Sequence, residues 1–256
     1  MPDLKITLIQ TALIWENIEA NLEMFDQKLE MISGRPDLII LPEMFTTGFT
    51  MNAEKLAQPM SGSGVGWLRK SASLKQSDIV GSLIITENGK YFNRLVWMRP
   101  DGSYFTYDKK HLFRMAKEDQ TYSEGRTHLT VSLNGWNIRP FICYDLRFPV
   151  WTRNLKNSFD LSVFIANWPK SRSAHWKALL VARAIENQCY VAGCNRIGVD
   201  GNRLLYAGDS SVIDPQGNLL YTRSDEPSIV TQTLSYQVLQ KYRSDFPAWM
   251  DADTGI

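Results

Sequence analysis

Hydrophobic positions along this chain fall in short blocks that switch between a two-residue and a 3.6-residue period. Leu4-Lys5-Ile6-Thr7-Leu8-Ile9-Gln10 alternates and is rich in β-formers, which predicts a strand. Across residues 17–32, Ile18, Leu22, Phe25, Leu29 and Ile32 recur at three- and four-residue steps, the stripe of an amphipathic helix. Asp37-Leu38-Ile39-Ile40-Leu41 is a continuous apolar run closed by Pro42 and predicts a buried strand. A loop holding Glu43 and Gly48 follows, then a helix over 62–77.

Strands are expected over 79–86 and 92–99, joined by Glu87-Asn88-Gly89-Lys90 with its Asn-Gly hairpin signal. A further strand covers 104–107, and 129–133 pairs with 136–142 around Asn134-Gly135. Residues 115–121 look irregular. Beyond Cys143, helix over 150–156, buried strand over 161–166, helix over 174–187 and strand over 189–195 alternate. Short strands near 204, 211–213, 219–221 and 229–234 precede a helix over 236–243 and a tail with Trp249. Strands with helical crossovers mixed with hairpins, without linker, repeat or composition break, predict one α/β domain over 1–256 with a mixed sheet system and helices outside.

Composition narrows the function classes. With 44% hydrophobic and 21% charged residues the chain can bury a full core. A net charge of +1 gives no electrostatic case for nucleic acid or an acidic membrane, and the basic cluster Lys109, Lys110, His111, Arg114 is short. No apolar run approaches the roughly 20 residues of a membrane span. The N-terminus opens into a strand pattern rather than a signal peptide. Cys143, Cys189 and Cys194 are too few and too irregular for a disulfide framework or a zinc site. A cytoplasmic protein is expected, with Cys189 and Cys194 as core thiols.

Cys143 is different. It ends the apolar run Arg139-Pro140-Phe141-Ile142 and is followed at once by Tyr144-Asp145-Leu146-Arg147-Phe148-Pro149. A thiol at a strand end is held by a rigid element yet faces an approaching substrate. A cysteine nucleophile needs a proton acceptor, oxyanion donors and a proton for the leaving group. The histidines His111, His128 and His175 offer a Cys/His pair, but no local signature supports one; His128 reads as surface and His175 as helix packing. Glu43, at the C-terminal end of a buried strand where α/β sheets bind ligands, is a candidate against the bland alternative of a surface loop glutamate. Lys109 and Lys110 also end a strand, where alternation lets only one point into a given site; a solvated basic turn is the alternative.

Three segments together resemble the catalytic signatures of the nitrilase, or carbon–nitrogen hydrolase, superfamily. They are Leu41-Pro42-Glu43-Met44-Phe45 with Gly48-Phe49, Tyr107-Asp108-Lys109-Lys110-His111-Leu112-Phe113, and Ile142-Cys143-Tyr144-Asp145-Leu146-Arg147-Phe148-Pro149. Ala166-Asn167-Trp168-Pro169, residues 182–188 and Asn195-Arg196-Ile197-Gly198 extend the likeness over essentially the whole chain. The resemblance implies a four-layer α-β-β-α sandwich and a Glu-Lys-Cys triad of Glu43, Lys109 and Cys143, with Lys110 pointing away. It matches a second acid to Glu124 and gives the oxyanion to Lys109 and the Tyr144 N–H. No metal or cofactor is implied.

Tyr144-Asp145 after the cysteine resembles the amidase side of the superfamily, closest to its bacterial omega-amidase branch, as does Phe246-Pro247-Ala248-Trp249. That branch implies hydrolysis of the terminal amide of 2-oxo acids such as 2-oxoglutaramate and 2-oxosuccinamate through a cysteine thioester. Such a substrate carries a carboxylate. Arg114 or Arg172 is expected to pair with it, with aromatic packing from Phe45 or Trp168, while Arg147 in the nucleophile turn is read as structural support. The alternatives are another amide hydrolase, such as an N-carbamoyl or deaminated-glutathione amidase, and a non-catalytic binding protein on the same fold. The resemblance also implies a homodimer or higher homo-oligomer, formed through a helical layer; the apolar residues of the 174–187 helix and the aromatic C-terminal tail suit such an interface.

Overall fold

The computed structural model describes residues 1–253. Its first strands in chain order are β1 (Leu4–Gln10), β2 (Leu38–Ile40), β3 (Asp78–Glu87), β4 (Lys90–Met98), β5 (Tyr104–Asp108) and β6 (Val131–Leu133). They are followed by β7 (Trp136–Ile142), β8 (Leu161–Ala166), β9 (Tyr190–Asn195), β10 (Ile197–Val199), β11 (Leu205–Ile213), β12 (Leu219–Ser224) and β13 (Ser228–Leu234). The α-helices are α1 (Ile18–Glu30), α2 (Ala53–Leu56), α3 (Ser63–Lys75), α4 (Glu118–Thr121), α5 (Ser173–Asn187) and α6 (Tyr236–Asp245).

Two mixed sheets result. The first has the order β13-β1-β2-β3-β4-β5; the second runs β10-β11-β9-β8-β7-β6, with β12 added on β11. In the first sheet β1 is parallel to β2 and antiparallel to β13, with Leu4 opposite Leu234. In the second, β7, β8 and β9 are parallel.

Side-chain parity explains why the sheets stack. In β2, Leu38 and Ile40 share a core with Val163 and Ile165 of β8, whereas Ile39 packs on the other face with Phe25 of α1 and Leu68 of α3. Both faces of β2 are therefore buried, which is why its sequence is continuously apolar rather than alternating. Each such fully buried aliphatic chain contributes about 1.5–3 kcal/mol. On the far side, Trp176, Leu180 and Ala184 of α5 and Leu239 of α6 close the second sheet. Gly193 of β9 lets α5 approach: a Cβ there would lie 2.6 Å from Leu180 Cδ1. The order is helices, sheet, sheet, helices, a four-layer α-β-β-α sandwich.

The predicted helix over 150–156 does not form. Turns and a 3-10 turn at Leu155–Asn157 replace it, with Lys156 and Asn157 at φ +54° and +51°. Asparagine side chains compete for the backbone here. The Asn154 N–H donates to Asn187 Oδ1, and Asn154 Nδ2 donates to the carbonyls of Phe159 and Asn187. Residues 118–121, expected to be irregular, form α4.

Candidate active site

The parallel strands bring their C-terminal ends to one edge, as open α/β sheets do where they bind ligands. Because β5 is antiparallel to β4 and β4 to β3, β5 runs in the direction of β2. Glu43 follows β2, Lys109 follows β5, Cys143 follows β7 and Asn167 follows β8.

Glu43 is fully buried. The next residue, Met44, takes φ +43°, its N–H donating to Ser82 Oγ at 2.8 Å. This left-handed step reverses the chain at the strand end. Glu43 Oε1 accepts from Lys109 Nζ and Asn93 Nδ2, both at 2.8 Å, and Oε2 accepts from the Asn167 N–H at 2.8 Å. Lys109 is 1% exposed. Its ammonium also donates to both oxygens of Glu118 at 3.0 Å. Glu118, the first residue of α4 and fully buried, accepts further from the Phe113 N–H at 2.6 Å.

Burial alone would lower the Lys109 pKa, but the carboxylates of Glu118 and Glu43 outweigh it and hold the ammonium charged, above the ordinary lysine value. Burial raises the Glu118 pKa against the pull of Lys109, and Glu43 adds to the rise. Burial also pushes the Cys143 thiol well above its usual range, and Glu43 pushes the same way, while Lys109 opposes. The sulfur therefore rests as a neutral thiol beside a carboxylate able to take its proton.

Cys143 itself sits at φ +44°, a conformation costing a non-glycine residue about 1–2 kcal/mol. Asp145 holds this turn. Its Oδ2 accepts from the Ile142 N–H at 3.1 Å and from Tyr107 Oη at 2.7 Å, and its Oδ1 accepts from the His111 N–H at 3.0 Å. The His111 ring lies 2.8 Å from Asp145 Oδ1 through Nδ1 and stacks on Phe148 at 3.7 Å. One buried carboxylate thus ties the lysine segment to the cysteine turn. The Tyr144 N–H belongs to the opening of the 3-10 turn Cys143–Arg147, where N–H groups lack an intrahelical acceptor.

A cavity of about 640 Å³ opens onto Cys143 and Lys109. Its wall includes Asn167, Trp168, Arg147 and Arg172. The Arg147 guanidinium lies 4.6 Å from the Trp168 ring centroid and donates from Nη2 to His175 Nδ1 at 3.0 Å. That of Arg172 lies 5.3 Å from the Phe113 ring centroid. Burial, together with the charge of Arg172, draws the Arg147 pKa below its usual value. Among the described residues neither arginine has a carboxylate partner within 4.0 Å. Such a cationic wall is electrostatically unsatisfied and suits an anionic ligand group.

Lys109, Cys143, Tyr144, Trp168 and Arg172 line this cavity, and Glu43 lies behind them, bonded to Lys109 and Asn167. Lys110 points outward, pairing with Glu124 at 3.4 Å and lying 5.8 Å from the Trp151 ring centroid. Glu124 is not beside Lys109. The Gly125 N–H donates to the Lys109 carbonyl at 2.9 Å, so this segment does run alongside the lysine, but Glu124 projects outward to Lys110 and Arg126. Gly125 is required for that approach, since a Cβ would meet Asp108 O at 2.0 Å. Glu118 fills the place expected for Glu124, and nothing in the hydrophobic pattern marks it.

Phe45 lies away from the cavity, fully buried 5.5 Å from Phe25 and 5.6 Å from Trp67. The Met44 reversal turns it into the outer core. Arg114 is exposed and pairs with Asp119, facing a neighbouring depression. Arg147, expected to be structural support, borders the cavity instead. His128 stacks on Trp151 and meets its carbonyl at 2.8 Å, away from the sulfur.

A family model described as carbon-nitrogen hydrolase matches residues 5–244. The chain is 50% identical over 256 residues to Omega-amidase YafV of Escherichia coli (strain K12), covering 99% of this chain and 98% of that protein. It is 34% identical over 250 residues to the 2-oxoglutaramate amidase of Bacillus subtilis (strain 168), covering 96% of each. The structure of XC1258 from Xanthomonas campestris, a CN-hydrolase superfamily protein with an arsenic adduct in its active site, is similar with a TM-score of 0.98 at 44% identity. It covers 100% of this chain and 99% of that one.

Proposed function

The chain belongs to the carbon–nitrogen hydrolase family, and from that footing we propose that it is an omega-amidase in which Cys143, Glu43 and Lys109 carry the chemistry. Glu43 takes the Cys143 proton as the sulfur adds to the amide carbonyl. The oxyanion is held by the Lys109 ammonium and the Tyr144 N–H. When the C–N bond breaks, the Glu43 proton passes to nitrogen and ammonia leaves, with a thioester on Cys143. Water then gives a proton to Glu43 and adds to the thioester; the C–S bond breaks and the sulfur recovers the proton, releasing the acid. Glu118 acts through Lys109, keeping the ammonium charged and aimed.

The observation that carries this reading is the buried Lys109, held between Glu43 and Glu118 at the edge of the cavity that Cys143 also lines. The likeness to Omega-amidase YafV and to a 2-oxoglutaramate amidase supports a 2-oxo-dicarboxylic acid monoamide as substrate. Arg147 and Arg172 would take its carboxylate and Trp168 would pack on its chain. Ammonia release from 2-oxoglutaramate, 2-oxosuccinamate, glutamine and a simple nitrile, with Cys143→Ala as control, tests it. Activity on the oxo-acid amides that disappears in the variant is expected; full activity of the variant refutes the cysteine assignment.

Three free, buried thiols support a reducing compartment such as the cytoplasm. Exposed Ile185 on α5, Val238 on α6, and Phe246 and Met250 in the segment after it support a homodimer through that helical layer, which light scattering on the purified chain would test.

A further inference from the structure

Asn167 carries one feature that the mechanism leaves unused. Its main-chain N–H donates to Glu43 Oε2 at 2.8 Å, and its side-chain Nδ2 donates to the Glu43 carbonyl at 2.6 Å. The second bond orients the side-chain amide: a flipped group would set two acceptors against each other at that distance. Oδ1 is thereby the free end, and it is buried with no hydrogen-bond partner among the described residues. An unpaired buried carbonyl is costly, and its persistence calls for a reason. Asn93 also has a buried, unpartnered Oδ1, but Asn93 does not border the cavity, whereas Asn167 does, with Cys143 and Lys109.

We infer that Asn167 Oδ1 accepts an N–H of the substrate's carboxamide, and so selects a primary amide over an acyl group whose leaving atom has no hydrogen. The inference rests on the amidase reading above. Glu43 must protonate the departing nitrogen, and Asn167 is bonded to Glu43 through both of its nitrogens. An acceptor beside that carboxylate turns the nitrogen so that its lone pair meets the Glu43 proton while an N–H meets Oδ1. An ester oxygen has no hydrogen to offer; two acceptors would then face each other. Discrimination by a site built to receive an N–H works through this unpaired alternative.

The test compares 2-oxoglutaramate with the methyl ester of the same acyl group, using kcat/KM so that both report formation of the same thioester. Asn167→Ala is expected to lower the amide-to-ester ratio of kcat/KM roughly tenfold to a hundredfold. Asn167→Asp keeps the Oδ1 acceptor but sets its second oxygen against the Glu43 carbonyl, so it is expected to lower both rates together while the ratio stays well above that of Asn167→Ala. The ratio does not depend on the fraction of enzyme folded, so a damaged fold lowers both rates and leaves it unmoved. An unchanged ratio in Asn167→Ala, or an equal fall of the ratio in both variants, overturns the inference. If the unaltered protein cleaves the amide, the amidase reading survives that outcome; if it cleaves neither compound, both fall.

Discussion

Replacing Glu118 with glutamine separates the acid that the structure places at Lys109 from the one that motif matching suggests. Both oxygens of Glu118 face donors: Lys109 Nζ at 3.0 Å on each side, Asn93 Nδ2 at 3.3 Å on Oε1 and the Phe113 N–H at 2.6 Å on Oε2. A glutamine has one oxygen and one NH₂ group. Whichever way it turns, the NH₂ meets a donor, leaving a buried group unpaired at a cost of about 1–3 kcal/mol. The variant also loses one of the two carboxylate charges that keep Lys109 charged against its burial. If the lost charge-assisted bond, worth about 1.5–3 kcal/mol, is felt mainly at the oxyanion, kcat falls roughly tenfold to a hundredfold with KM little changed. Glu124→Gln removes only surface pairs to Lys110 and Arg126, worth about 0–1 kcal/mol, and should leave kcat near its original value. Steady-state ammonia release and urea denaturation of both variants decide it. An active Glu118→Gln beside an impaired Glu124→Gln would refute the reasoning.

Other expectations follow from the same geometry. Arg147→Gln and Arg172→Gln should each raise KM for a carboxylate-bearing omega-amide roughly tenfold, with little change for a neutral amide, while Arg114→Gln leaves both unchanged; equal behaviour of all three variants would remove the anion-wall assignment. Phe45→Ala opens a hole in the outer core and should cost about 3–5 kcal/mol by urea denaturation, with KM preserved in the folded fraction. A raised KM there would return Phe45 to the substrate. Burial raises the pKa of all three thiols, Cys189 up to about 12. The folded chain therefore keeps protons that the unfolded chain releases near pH 8.5, and stability, fully present below that pH, falls as pH rises above it. Each thiol contributes up to about 1.4 kcal/mol per pH unit. Tm measured between about pH 8 and 10 should drop, less so in Cys189→Ala; a flat profile contradicts the burial of the thiols.

The strands were legible wherever burial imposes a period. Alternation in β1 and the continuous run of β2 each follow from which faces are covered, and the strand ends place Glu43, Lys109 and Cys143 at one edge. Alternation likewise separates Lys109 from Lys110. What escaped depends on how side chains leave irregular backbone. Glu118 reaches Lys109 from a helix of one turn whose position is set by tertiary bonds such as that from Tyr122 Oη to the Thr50 carbonyl. Phe45 and Trp168 are both aromatic beside a signature residue, and only the left-handed step at Met44 decides that Phe45 faces outward into the core. Arg147 leaves a 3-10 turn, whose period says nothing about which arginine will border a cavity. The helix anticipated over 150–156 failed because the Asn187 side chain takes the Asn154 N–H and the Thr152 carbonyl, which a helix would have paired.

The pairing of Leu4 with Leu234 has a consequence for synthesis. Strand β1 is an interior strand, yet one of its two neighbours, β13, leaves the ribosome long after it. At about 5–20 residues per second, the roughly 220 intervening residues take about 10–45 s. For that interval the nascent chain can build β1 against β2 and β3, but it presents an open apolar edge of the kind that recruits other strands. The first sheet can be completed only once β13 emerges, and until then the β1 edge stays open to misassembly.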